Sequence, residues 1–286
     1  MIASPVNDLY YSFCLYLDRQ IQQKGRAYTS NSGLFYKAAD PELPNNTVYS
    51  LPYKQMVSDF SITGAIIPTG VWINNVFATK GVSGLKIDYN NGRAILSGGA
   101  AYQNLSISGA YSIKDFNIYP TTKSDEDLIF ESKFQLNPSY SRTLSGVAKD
   151  ALVVPGIFIT TTNFKNTPLE FGGMVYTNVN IHMVIIADSK DLLDAVGNLI
   201  IDEKYSSFPI VTSNKLPFNA YGDYKTGSVN FNYLSLVRDF TSSLGYIEEA
   251  NFYKLSNKDF NGRYPDLKVG LADLKIKVPR LPNRGA

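Results

Sequence analysis

Apolar residues recur at helical spacing over the first two dozen positions, then give way from Phe60 onward to short alternating runs. Leu9, Phe13, Tyr16, Leu17 and Ile21 form one stripe of a helix. Ser4 can cap it, Pro5 suits its first position and Gly25 its end. Tyr10, Tyr11 and Cys14 lie elsewhere around that helix, which is therefore apolar on more than one side and is expected to touch more than one neighbour. From about Tyr28 to Val57, through Pro41, Glu42, Leu43, Pro44, Asn45 and Asn46, no period emerges. A connection of that length predicts an arm that wraps or contacts a partner.

The alternating runs carry turn chemistry. Leu85 to Leu96 contains Asn91-Gly92 between apolar runs, the signature of a type I′ hairpin, whose two central residues both need φ > 0. Read that way, Tyr89 faces Ala94 and Ile87 faces Leu96. Val71-Trp72-Ile73-Asn74-Asn75-Val76-Phe77 predicts a second tight turn, at Asn74-Asn75. Leu105, Ile107, Tyr111 and Ile113 continue the alternation, so residues from Phe60 to Pro120 read as a sandwich or open barrel of short strands.

From about Leu128 to Ala187 the texture stays mainly strand, with Leu152-Val153-Val154 and Ile157-Phe158-Ile159 split by Pro155-Gly156, and Ile181 to Ala187 reading as a buried central strand. Then the period changes. Asp188-Ser189 can cap a helix bearing Leu192, Leu193, Val196, Leu199 and Ile200; a second helix carries Val229, Tyr233, Leu236, Val237, Phe240 and Leu244 and stops at Gly245. Tyr246 to Leu255 and Lys268 to Val278 read as strands, the latter ended by Pro279. The expected fold is α+β: a β-rich, sandwich- or barrel-like middle, an N-terminal helix, and two helices of the C-terminal half (about 189–204 and 229–244) on a mainly antiparallel sheet. The expected organisation is an N-terminal helix and arm (1–58), a hairpin-rich β region (59–122) and an α+β region (123–286).

Composition narrows the function classes. The 286 residues are 44% hydrophobic and 18% charged, which marks a globular chain. A net charge of +2 gives no electrostatic footprint for nucleic acid, and Lys268, Lys275, Lys277 and Arg280 read as the wet face of a strand. With Cys14 alone there is no intramolecular disulfide, which fits assembly inside a cell. The N-terminus shows no signal peptide, and no apolar stretch approaches the ~20 residues that cross a bilayer.

Candidate chemistry is sparse. His182, the single histidine, lies in an apolar run and reads as a satisfied strand residue. Cys14 reads as an inert thiol among aromatics, and one His with one Cys cannot build a zinc site. Asp125-Glu126-Asp127 lacks the alternating spacing that wraps calcium and reads as a solvated loop. Glu248-Glu249 and Asp202-Glu203 could each supply half of a glycosidase pair, although adjacent carboxylates on a strand point oppositely. No serine elbow or phosphate-binding glycine loop is present. The chain is instead rich in tyrosine, 20 residues against one Trp, a side chain suited to half-buried contacts. No catalytic residue, cofactor or metal is expected.

Val71-Trp72-Ile73-Asn74-Asn75 followed by Ile87-Asp88-Tyr89-Asn90-Asn91-Gly92-Arg93-Ala94-Ile95-Leu96 resembles a β pattern of tailed-bacteriophage virion proteins, with Asn75 standing where that pattern has glycine. Leu192 to Val196, Ser206 to Ile210 and Pro217 to Asp223 are similar to phage structural proteins as well. The resemblance implies a non-enzymatic virion subunit of the neck, head–tail connector or tail, assembled in the host cytoplasm as a homo-oligomeric ring. Its partners would be other virion proteins, with no membrane and no specific nucleic acid. The alternatives are a carbohydrate- or receptor-binding β module and a glycosidase-like tail enzyme using Glu248 or Glu249.

Overall fold

The computed structural model describes residues 4–82, 84–98, 105–132, 134–136, 152–169, 174–219, 225, 230–256 and 267–280. Helix α1 (Pro5–Gln23) begins where its capping chemistry puts it: the Ser4 hydroxyl accepts the Asn7 amide at 3.1 Å. Ser4→Ala should therefore cost about 1 kcal/mol in urea unfolding, the usual value of a lost cap.

The stretch from Tyr28 to Val57 is not an arm. It forms β1 (Tyr28–Ala38) and β2 (Asn46–Ser50), followed by β3 (Gly70–Ile73), β4 (Val76–Thr79), β5 (Leu85–Asp88), β6 (Arg93–Ser97) and β7 (Ile107–Lys114). These seven make one sheet in the order β4-β3-β7-β1-β2-β6-β5. β1 was hidden because its Thr, Ser, Asn and Gly residues carry little apolar signal; its order comes from pairing along its length with β7, from Tyr28 opposite Lys114 to Phe35 opposite Ile107. Residues from both halves of the sheet, among them Phe35, Val71, Ile87, Leu96 and Ile107, share one buried core. The ends of the strand order are drawn together, since the Gly81 amide donates to the Leu85 carbonyl and Lys80 Nζ donates to the Tyr89 hydroxyl.

The Asn74-Asn75 hairpin forms where its sequence puts it, whereas the β5–β6 hairpin differs in register. Asn74 and Asn75 have φ of 47° and 68°, so they, and not Asn91-Gly92, make the two-residue turn with two left-handed residues. In the β5–β6 hairpin Leu85 faces Leu96, Ile87 faces Ala94 and Asp88 faces Arg93, a register two residues from the expected one. A shift of two preserves the faces, so the apolar pattern is satisfied equally well. What decides is a four-residue turn, 89–92, in which the Asp88 carboxylate accepts from the Asn91 amide and side chain and only Gly92 is left-handed (φ 61°).

A second sheet begins with β8 (Asn117–Pro120). A helical turn (Asp127–Glu131) stands where strand was expected, and the short pair β9 (Phe134–Leu136) and β10 (Leu152–Val154) follows. Then come β11 (Gly156–Leu169), β12 (Met174–Ala187), α2 (Lys190–Asp202), β13 (Ser207–Val211), α3 (Tyr233–Phe240), β14 (Thr241–Lys254) and β15 (Lys268–Arg280). The order is β13-β14-β15-β12-β11-β8, antiparallel except at β8–β11. β12 is central, as its unbroken apolar run predicts. On one face Ile181, Met183 and Ile185 meet α1 and α2; on the other Val184 and Ile186 meet Leu128 and Ile129 of the helical turn.

The last helix is shorter than its pattern. Asn232 caps it and the Asp59 carboxylate accepts the Tyr233 amide, so it starts at Tyr233; Val229 lies outside the described residues. It ends at Phe240, with Thr241 opening β14. Leu244 and Gly245 belong to that strand. Gly245 is there because a Cβ would stand 2.7 Å from the Phe208 ring, not because it stops a helix. Pro279 does not end β15, which pairs with β12 through Pro279 opposite Tyr176 and Arg280 opposite Val175, whereas β14 reaches only Lys277. The chain is thus α+β and β-rich, with an N-terminal helix and two later helices on a mainly antiparallel sheet.

Candidate functional site

The chemically able side chains are mostly committed to structure. Cys14 is buried in α1, where burial and the nearby Asp18 push its thiol far up from its ordinary value. Glu203, at the end of α2, is buried and accepts from the Tyr16 hydroxyl and from Lys24 at 2.7 Å. Glu248 and Glu249 do not point oppositely. A bulge between Ile247 and Glu249 breaks the alternation, and both carboxylates reach Lys275, with Lys277 also on Glu248. Hydrogen bonds from Lys277 and Lys275 hold the Glu248 carboxyl below its ordinary range, the reverse of what a proton-donating glycosidase acid needs. Lys275 and Lys277 are thus ion-paired rather than simply solvated.

Asp125-Glu126-Asp127 starts the helical turn instead of a free loop. Asp127 and Ser124 exchange backbone-to-side-chain hydrogen bonds, and Asp125 crosses to His182. Both ring nitrogens of His182 face carboxylates: Nδ1 lies 2.6 Å from Asp273 Oδ1, and Nε2 2.9 Å from Asp125 Oδ2. The sequence could not announce this cluster, whose members lie 57 and 91 positions apart. Among the described residues no His, Cys, Asp and Glu group has the makings of a metal centre.

A cleft of about 630 Å³ lies beside it, where α1, β8 and the turn of the β5–β6 hairpin converge. Asn7, Tyr11, Asn90, Thr122, Lys123 and Thr160 are among its lining residues.

The surface offers more than the interior. Leu34, Ser108, Trp72 and Phe77 are directly opposed across β1, β7, β3 and β4 in one row. Leu34, Trp72 and Phe77 are each about half exposed (50%, 47% and 46%), Trp72 and Phe77 meet edge to face at 5.2 Å between centroids, and Val76 at the hairpin tip is 71% exposed. Single exposed apolar residues mean little, but an aromatic row at a sheet edge is the form a contact surface takes.

The two outer strands of the six-stranded sheet, β8 and β13, are covered by side chains. Gln55 brackets β8 by donating to the Ile118 carbonyl and accepting its amide, at 2.7 and 2.8 Å. Ser12 accepts the Val211 amide of β13, a strand that also holds Pro209. β11 is different: β8 pairs with it only as far as Ile159, and beyond Thr161 its outer edge has no partner strand among the described residues. Phe164 on that edge is exposed.

Compared with models of known protein families the chain matches none, and no curated protein matches it significantly. No helix among the described residues is long and apolar enough to cross a membrane.

Proposed function

We propose that this chain is a non-catalytic structural subunit that assembles with copies of itself into a closed ring in a tailed-phage particle, at the neck, the head–tail junction or in the tail. The observation that carries the reading is the exposed apolar row Leu34–Trp72–Phe77 with Val76 at its tip. Burying two aromatic rings and their flanking aliphatics supplies the kind of anchor on which stable contacts rest. The unpaired edge of β11 offers a second surface by strand addition. Two distinct surfaces on one chain are what a head-to-tail ring requires. The virion setting is supported by the resemblance of the Val71–Leu96 hairpins, and the absence of turnover by the tethering of Glu203, Glu248 and His182 in ion pairs.

Light scattering coupled to size exclusion is the test. The wild-type chain is expected to run as one closed oligomer, and Trp72→Ser with Phe77→Ser as a folded monomer, since neither ring belongs to the core. A wild-type monomer at high concentration, or a double variant that assembles normally, overturns the proposal.

A further inference from the structure

Three groups meet on the face of the six-stranded sheet opposite α1 and α2. His182 is a β12 residue paired with Thr160 of β11 and Asp273 of β15, and Asp125 opens the helical segment that follows β8. The ring is largely covered, at 15% exposure, whereas Asp125 and Asp273 are 38% and 55% exposed. A neutral imidazole has one N–H and can donate to one carboxylate only; the other nitrogen then presents a lone pair to an anion. The imidazolium donates to both, in charge-assisted bonds.

The two carboxylates are not equivalent. Asp273 is held on a strand paired with β12 along its whole length. Asp125 rides on a segment that is also tied to the sheet by the Thr121 amide, which donates to the Ile159 carbonyl at 2.9 Å and to the Tyr10 hydroxyl at 3.2 Å, and by the apolar contacts of Leu128 and Ile129. That segment includes Thr121, Thr122 and Lys123, one wall of the cleft.

We propose that protonated His182 is a latch that ties the 121–132 segment, and with it one wall of the cleft, to the six-stranded sheet, and that loss of its proton frees Asp125 while leaving Asp273 in place.

The charges around the ring agree with that sense. Thr160 of β11 lies opposite His182, and Asn180 and Val184 of β12 flank it; the charged β11 residue on this face, Lys165, lies opposite Asn178, farther along the strand. β15 contributes Asp273 and Lys275, and Lys275 is engaged by Glu248 and Glu249. The connecting segment brings Asp125, Glu126 and Asp127, with Lys123 Nζ donating to Ser132. Burial works against the charged ring, but the hydrogen bonds and charges of Asp273 and Asp125 outweigh it and raise its pKa above the ordinary histidine value. A group whose pKa is raised on folding contributes its full stability below its unfolded value, and loses it as pH rises through the folded one. The latch is closed in acid and opens toward alkaline pH.

Hydrogen exchange, corrected for the intrinsic effect of pH, tests this on the intact chain. Amides of residues 121–132 are expected to lose protection about tenfold between about pH 6 and about pH 9, while those of β12 and β15 keep theirs. Asp125→Asn is expected to abolish the step and leave the segment weakly protected at both pH values, and His182→Gln to do the same. Because the chain has one histidine, the ring nitrogen resonances of the wild type report His182 alone; they are expected to show a doubly protonated ring at about pH 6. A neutral ring there, a wild-type segment without a pH step, or an Asp125→Asn segment that keeps it, overturns the proposal.

Discussion

Lys114→Met is expected to destabilise the protein by about 3–5 kcal/mol, the usual cost of stranding one partner of a buried ion pair. Lys114 ends β7 in the first sheet, and Asp18 lies on α1, which packs against the second. Their charged atoms stand 2.8 Å apart with side chains only 3% and 7% exposed. With the ammonium gone, the Asp18 carboxylate is left in surroundings too dry to solvate it. Removing both charges is a different experiment: Lys114→Met with Asp18→Leu replaces the pair by apolar groups, and such exchanges run from neutral to stabilising. Urea unfolding of both single variants and the double variant is expected to show the double variant well above either single one. A Lys114→Met protein within about 1 kcal/mol of wild type would mean that water reaches this seam.

Gly92→Ala is the second large effect, at about 2–4 kcal/mol, combining a left-handed backbone with a steric clash. Gly92 has φ 61°, and a Cβ there would sit 2.2 Å from the Tyr53 carbonyl oxygen. The turn cannot swing away, because the Gly92 carbonyl accepts the Leu51 amide at 2.8 Å and the Asn90 and Tyr89 carbonyls accept from Gln55 and Met56. Asn91→Ala leaves φ unstrained and removes only the side-chain bond to Asp88, so about 1 kcal/mol is expected. Thermal unfolding of the two variants separates them; equal losses would place the constraint in the Asp88–Asn91 hydrogen bonds instead.

These two sites mark how far the sequence could be read. Asn91-Gly92 announced a hairpin because few residues tolerate φ > 0, and a hairpin is there. Its register was invisible, since a slip of two keeps Ile87 and Leu96 on the same face and the choice falls to Asp88 and to the 51–56 segment bonded over the turn. α1 and α2 were legible to within a residue or two, as their caps Ser4 and Ser189 act through local geometry. The last helix is overrun because Leu244 continues a helical stripe, although pairing with β13 claims that stretch as strand. β1 was missed for the opposite reason: a polar strand between two partners needs no apolar alternation of its own.

The side-chain chemistry divides the same way. The scarcity of His and Cys, the abundance of Tyr and the lack of a serine elbow or glycine loop are properties of the sequence, and they narrow the function classes without reference to the fold. The Asp125–His182–Asp273 cluster, the Lys114–Asp18 pair and the exposed Leu34–Trp72–Phe77 row were decided only by tertiary structure. Each joins residues from elements far apart in the chain, and no local propensity encodes which strands become neighbours. By itself the sequence determined the turns at Asn74-Asn75 and around Asn91-Gly92, where α1 and α2 begin and which faces of the hairpins are apolar, because those follow from backbone sterics and hydrophobic period. Strand order and register decided which charges meet and which aromatic rings stay in water, because only the assembled sheets bring those side chains within a few ångströms of one another.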